Sequence, residues 1–183
     1  LGILAMFVAG GIAFYQRDLK RMLAFSSVSQ IGYILVGLSF MSSKGLTAAI
    51  IHLFNHGITK GLLFMCAGVI FLRYKTSFYK EISGLGRIMP WTSAAFLIGG
   101  LSLIGIPGTA GFISKWILVQ AALEQGSWLI ALAILLSSLI AVLYVWQVTE
   151  IMYFGDSSKK GTEIPVGSFS YFTIWILAGA TIF

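Results

Sequence analysis

Long apolar stretches alternate with short polar ones along the whole chain. A helix needs about 20 apolar residues to cross the hydrocarbon core of a bilayer. That length divides the sequence into six segments, with bounds 1–15, 22–41, 46–72, 89–123, 128–154 and 166–183. The first and last segments are shorter than a full span. We therefore expect one transmembrane domain, residues 1–183, that is part of a longer polytopic chain.

The fourth apolar segment is too long for one straight span and contains a helix breaker. Pro107 has no amide hydrogen to bond back to the carbonyl of Leu103. Glycines, which adopt backbone conformations that other residues avoid, surround it. They are Gly105, Gly108 and Gly111. The sequence predicts one discontinuous helix, broken at residues 105–111, and such breaks hold ions near the middle of the membrane in transporters.

The composition does not allow a polar outer surface. Hydrophobic residues make up 58% of the chain, charged residues make up 10%, and the mean hydropathy is +0.93. These values indicate an all-α integral membrane protein in a lipid bilayer. Cys66 is the single cysteine, so the chain alone can form neither a disulfide nor a thiolate metal cluster. We expect no cofactor and no metal site.

The basic residues are distributed as a topology signal. Most of the twelve Lys and Arg residues fall in three alternate loops, at 16–21, 73–88 and 155–165. They are Arg17, Lys20, Arg21, Arg73, Lys75, Lys80, Arg87, Lys159 and Lys160. The two loops between them hold only Lys44. By the positive-inside rule the three basic loops are cytoplasmic. Because the basic residues form no continuous stripe, nucleic acid is not an expected partner.

Two lysines, Lys60 and Lys115, lie inside apolar segments, where a charge is costly and usually marks ion handling. Lys60 ends a row with His52 and His56, because residues four apart share one face of a helix at about 6 Å per step. Steps of this length suit side chains that are bridged by single water molecules, and histidine titrates near neutral pH. These four residues are therefore candidates for a proton relay.

These residues also fit other kinds of site to different degrees. A zinc-protease helix needs a glutamate beside its first histidine, where this chain has Leu53, and two haem ligands must approach the iron from opposite faces. A single buried histidine often only bonds a neighbouring helix. Lys115 could reach the outer surface through the break. Glu150, near the end of its segment, is either an interfacial carboxylate or the mouth of a channel.

Three motifs follow one another along the chain: DLKRMLAFSSVSQIGY at 18–33, HLFNHGITKGLLF at 52–64 and GIPGTAGFISK at 105–115. Together they resemble the antiporter-like membrane subunits of respiratory complex I, of Mrp-type cation/proton antiporters and of membrane-bound hydrogenases. The resemblance implies a fold of about fourteen helices with two inverted five-helix repeats, each of which contains a broken helix. This chain would be the second repeat and the start of the last helix.

The resemblance also implies roles for the candidate residues. Lys115 matches the lysine of the second broken helix, and His52, His56 and Lys60 match the central polar axis that links the repeats. Two positions depart from the family pattern. Trp116 stands where many members have an acidic residue, and Gly108 stands where a second proline is usual. The charge partner of Lys115 is therefore left open.

The sequence favours translocation of protons, or exchange of Na⁺ for protons, by a subunit of a larger complex in a prokaryotic inner membrane. Its partners would be other membrane subunits, and the redox chemistry would lie in them. One alternative is a scaffold subunit whose polar groups only hold helices together. Another is a stand-alone transporter with a small-anion pocket at the break.

Overall fold

The computed structural model describes residues 1–156 and 168–182. All regular elements within them are helices. They are α1 (Gly2–Leu4), α2 (Gly10–Tyr15), α3 (Leu19–Ser39), α4 (Ser43–Tyr74), α5 (Leu85–Ile88), α6 (Pro90–Ile104), α7 (Ala110–Glu124), α8 (Trp128–Phe154) and α9 (Ser168–Ala180), with a π-helical turn, Ala5–Ala9, between α1 and α2. The predicted all-α fold class is confirmed. Lys159, Lys160 and part of the segment 166–183 lie outside the described residues.

The lengths of the helices fit a membrane protein. Among the residues described, α3, α4 and α8 are long and apolar enough to cross a bilayer, whereas Gly2–Tyr15, α6 and Ser170–Ala180 are apolar but shorter. Side-chain caps set where the first two long helices begin. The Asp18 carboxylate accepts from the amide of Arg21 at 2.9 Å, and the Ser42 hydroxyl accepts from the amide of Gly45 at 3.1 Å.

The discontinuous helix near Pro107 is confirmed. Its first half, α6, begins at Pro90, where the missing amide hydrogen has no helical partner to lose. It ends before Gly105, whose φ of +88° is the left-handed conformation that favours glycine. The break covers residues 105–109, which is shorter than the predicted 105–111. Gly111 lies inside α7, where glycine permits the close approach to α6, because a Cβ there would overlap the carbonyl oxygen of Ser102.

The bundle is organised around α4, which packs against α3, α6, α7 and α9. Glycine permits a close approach of α3 to α4, since a Cβ on Gly45 would lie 2.6 Å from the carbonyl oxygen of Gly37. Buried apolar side chains form two clusters, one that includes Leu62 and Tyr144 and one that includes Tyr33. The buried polar side chains of α4, which are His52, Thr59 and Lys60, face other helices.

Loops that alternate along the chain lie on opposite faces of the bundle. On one face the amide of Tyr79 donates to the carbonyl of Arg17 at 3.0 Å, and the amide of Gly84 donates to the carbonyl of Ile151 at 3.0 Å. On the other face Lys44 forms an ion pair with Glu124. The basic loops 16–21 and 73–88 thus share one face with the end of α8.

Candidate functional site

Lys60 lies inside the bundle and bonds to α3. Its side chain is only 7% exposed, and its ammonium donates to the carbonyl of Leu23 at 2.7 Å and to the hydroxyl of Ser26 at 2.6 Å. Ser26 donates in turn to the same carbonyl of Leu23 at 3.0 Å. Leu23 lies one turn after the start of α3, and its bond holds the ammonium of Lys60 within the bundle. Lys60 therefore does not extend to the membrane surface.

His52 and His56 stack on the same face of α4. Their ring centroids are 6.2 Å apart and their planes differ by 8°. Nδ1 of His52 is 2.9 Å from the hydroxyl of Ser114 on α7, and that hydroxyl donates to the carbonyl of Gly111 at 3.1 Å. A hydroxyl has one hydrogen, so when Ser114 donates it to Gly111, Nδ1 of His52 is the donor to Ser114. In that tautomer Nε2 of His52 keeps a free lone pair.

Three buried nitrogens without partners in the described part of the chain belong to side chains that line a small cavity beside the two histidines. They are Nε2 of Gln30, Nε2 of His52 and Nδ1 of His56. The cavity has a volume of about 10 Å³ and is lined by Gln30, His52, Asn55, His56, Thr59, Ser102, Leu103 and Gly111. That volume suits one water molecule, and a buried water needs polar partners of this kind. A single water here would join the two imidazoles.

Lys115 caps the end of the first half-helix. Its side chain is 6% exposed, and its ammonium donates to the carbonyls of Leu103 and Ile104, each at 3.0 Å, and to the hydroxyl of Ser138 at 3.3 Å. The last carbonyls of a helix have no partner within the helix and carry the negative end of its dipole. The break thus creates the acceptors that hold this charge.

The side chain of Lys115 is bonded without an acidic partner. Within residues 1–156 and 168–182 it forms no ion pair. Trp116, which replaces the acidic residue of the family pattern, is 52% exposed and stacks on Phe112 with ring centroids 6.0 Å apart. Carbonyl groups, the hydroxyl of Ser138 and an aromatic ring therefore replace a carboxylate as the surroundings of Lys115.

That aromatic ring belongs to Tyr33, which sequence reasoning missed as a site residue. The ammonium of Lys115 lies 4.6 Å from the centroid of the Tyr33 ring, within the range of a cation–π interaction worth about 2 kcal/mol in a desolvated site. The ring of His52 lies 5.4 Å from the same ring. The sequence does contain an indication that Tyr33 belongs to the site. Ser26, Gln30 and Tyr33 are spaced by four and three residues, so they share one face of α3.

The start of the second half-helix has no free set of donors for an anion. The amide of Ala110 donates to the carbonyl of Thr181 at 3.0 Å, and that of Gly111 donates to the hydroxyl of Ser102 at 3.3 Å. The side chain of Asn55 also donates to the carbonyl of Ala110 at 2.6 Å. An anion pocket would need such amides to be available, so the geometry disfavours the small-anion transporter.

Glu150, the acidic residue among the candidates, does not bond to the four candidate relay residues within the described residues. Glu150 is exposed on α8, one turn before that helix ends. It forms no hydrogen bond or ion pair with His52, His56, Lys60 or Lys115 in the described part of the chain. An exposed position near a helix end fits an interfacial carboxylate as well as it fits a channel mouth.

Comparison with known proteins agrees with this architecture. The family model described as "NADH:quinone oxidoreductase/Mrp antiporter, TM" matches residues 1–141. Subunit N of the NADH-quinone oxidoreductase of Desulforudis audaxviator is 40% identical over 169 residues, which are 89% of this chain and 34% of that protein. Subunit L of the F(420)H(2) dehydrogenase of Methanosarcina mazei is 36% identical over 179 residues, which are 90% of this chain and 26% of that protein. The chain thus spans about a quarter to a third of the length of these curated relatives.

Solved structures show the same fold. A chain of the Mrp complex from a Dietzia species superposes with a TM-score of 0.89 at 26% identity, over 99% of this chain and 43% of that one. A chain of the membrane-bound sulfane sulfur reductase, an archaeal respiratory membrane complex, superposes with a TM-score of 0.90 at 33% identity, over 99% of this chain and 30% of that one. The chain is therefore an integral membrane protein that belongs to the antiporter-like transmembrane family shared by NADH:quinone oxidoreductases and Mrp antiporters.

Proposed function

We propose that this chain translocates protons, or exchanges Na⁺ for protons, as part of an antiporter-like subunit of a multisubunit membrane complex. Lys60, His56, His52 and Lys115 would form the relay. One observation carries the proposal: His52 and His56 both line a water-sized cavity, and each has a buried ring nitrogen without a partner in the described residues. A site built only for packing leaves few buried nitrogens without partners.

Electrostatic coupling is the proposed driving force. A buried ammonium is costly and depends on the charges around it, and neither lysine has a carboxylate partner in the described residues. A change of charge in a neighbouring subunit would therefore shift the balance between protonated and neutral Lys60. The proton would leave toward His56, cross the cavity water to His52 and reach Lys115. No redox centre is needed in this chain.

The proposed location is the inner membrane of a prokaryote, with the basic loops on the cytoplasmic side. Two observations support it. Loops 16–21 and 73–88 share one face of the bundle, as the positive-inside rule requires of cytoplasmic loops, and the two relatives described above come from a bacterium and an archaeon. The third basic loop, 155–165, lies mostly outside the described residues. The chain would be the second repeat of a longer subunit.

Transport by the assembled complex tests the relay. The full-length protein carrying Lys60→Ala or Lys115→Ala is incorporated with its partner subunits into proteoliposomes, and proton and sodium uptake are measured while the driving reaction runs. We expect each variant to lose transport by about tenfold or more, the effect of about 1.4 kcal/mol on a barrier. Lys44→Ala is the matched control, because Lys44 is a surface lysine that pairs with Glu124. Normal transport by both buried-lysine variants would contradict the proposal.

A scaffold role is the second candidate, and one observation favours it. Both buried ammonium groups bond directly to main-chain carbonyls, as lysines that only tie helices together would. The scaffold role and the relay role predict different effects of a lysine-to-alanine change. A scaffold lysine changed to alanine reduces transport only as far as it reduces the amount of assembled complex. A relay lysine changed to alanine leaves assembled complex that does not transport.

A further inference from the structure

The side chain of Tyr33 lies beside His52 and Lys115, two residues of the proposed relay. It is completely buried and contacts three other helices. Its ring faces His52 of α4 and the ammonium of Lys115 of α7. Its hydroxyl is 3.3 Å from the hydroxyl of Ser138 and 3.5 Å from the carbonyl of Ile134, both on α8. No other described side chain contacts both His52 and Lys115 through its ring.

The ring of Tyr33 contacts two members of the proposed relay, His52 and Lys115. The face of an aromatic ring has no atom that exchanges a proton, and the phenol hydroxyl bonds to α8. Nδ1 of His52 is already bonded to Ser114. A water molecule in the place that the ring occupies would contact both His52 and Lys115 and could carry a proton from one to the other.

The charge of Lys115 favours this closed position. An ammonium is attracted to the ring face, whereas a neutral amine is not. Ser138 adds to the same preference, because it accepts from the ammonium of Lys115 and bonds the hydroxyl of Tyr33. Loss of the proton from Lys115 removes the attraction between the ring and the lysine.

We propose that Tyr33 is the gating residue between His52 and Lys115, closed by its ring while Lys115 is charged and open to water when Lys115 is neutral. This proposal rests on the proposed proton relay. In the open state a proton passes through the water from the His52 imidazolium to the Lys115 amine, which leaves a neutral imidazole and a charged ammonium. The new ammonium attracts the ring again, so the gate closes behind the proton.

The passive proton leak of the assembled complex tests the gate. Proteoliposomes that contain the complex are given a pH gradient without the driving reaction, and the rate of its collapse is measured. Tyr33→Phe keeps the ring and loses only the hydroxyl that bonds to Ser138, so it is expected to leak much less than a variant without the ring. Tyr33→Leu removes the ring but keeps much of its apolar volume, and it is expected to leak about thirtyfold faster, as for the loss of one desolvated cation–π contact. If Tyr33→Leu does not assemble, Tyr33→Met replaces it with the same expectation.

A double variant separates the gate from the relay. The leak through Tyr33→Leu should disappear in Tyr33→Leu/Lys115→Ala, because the leak passes through Lys115. A leak that equals the wild type in assembled Tyr33→Leu, or a leak in Tyr33→Phe as large as in Tyr33→Leu, overturns the gate. If driven transport is lost in Lys115→Ala while Tyr33→Leu does not leak, the gate is wrong and the relay stands. If Lys115→Ala transports normally, the relay itself is wrong.

Discussion

The ammonium of Lys115 donates to the carbonyl of Ile104 at 3.0 Å, across the break that separates α7 from α6. The second half of the discontinuous helix thus supplies the cap for the first half. A break of this kind places a charge inside the membrane at the negative end of a helix dipole. The break in the helix therefore supplies the carbonyl acceptors that bind the buried Lys115.

Replacing Lys115 by methionine should separate stability from transport. Lys115→Met keeps the apolar stem, leaves the carbonyls of Leu103 and Ile104 unpaired and removes a desolvated charge. The unpaired carbonyls destabilise the complex, whereas removal of the buried charge stabilises it. We therefore expect the free energy of unfolding to change by no more than about 2 kcal/mol. Thermal unfolding of the purified complex measures it. Driven proton transport should be lost at the same time, and retained transport would argue against a role for the ammonium.

Alanine at Gly111 should damage the break far more than alanine at a glycine in open space. A Cβ at Gly111 would meet the carbonyl of Ser102, whereas one at Gly11 has nothing within 4 Å. We expect Gly111→Ala to destabilise the protein by about 1–3 kcal/mol, as overpacked sites do. Gly11→Ala should be neutral or slightly stabilising, because alanine is the better helix former. Equal melting temperatures for the two variants would show that the close crossing of α6 and α7 does not matter.

Filling the cavity beside the histidines should stop transport without unfolding the bundle. Thr59 lines the cavity, and its hydroxyl is 3.1 Å from that of Ser102. Thr59→Ile replaces the hydroxyl by a larger apolar group and should exclude the water, while Thr59→Ser keeps the hydroxyl. We expect driven proton uptake to fall by about tenfold in Thr59→Ile and to stay close to wild type in Thr59→Ser. Similar uptake in both variants would mean that the proton does not cross this cavity.

Local features of the sequence were enough for the fold class and for the break near Pro107. Apolar length, the missing amide of Pro107 and the conformational freedom of Gly105 act within one segment, so they can be interpreted without knowing which helices are neighbours. The glycines were less informative one by one. Gly111 permits a crossing of two half-helices, and the sequence alone does not reveal what a Cβ there would meet.

The immediate surroundings of the candidate residues depend on packing between helices. Lys60 bonds to Leu23 on α3, and Lys115 bonds to carbonyls on α6 and to Ser138 on α8. Main-chain carbonyls carry no residue-type signal, so no motif indicates them. Tyr33 was not predicted as a site residue for a different reason, since an aromatic residue in an apolar helix is most often part of the core.

The number of protons translocated per turnover of the driving reaction tests the relay most directly. It should be measured on assembled complex that carries Lys60→Ala, with Lys44→Ala beside it. If Lys60 passes protons to the histidines, the Lys60→Ala complex translocates fewer protons per turnover than the wild type and Lys44→Ala translocates the same number. An unchanged ratio at an unchanged turnover rate in Lys60→Ala would contradict the relay.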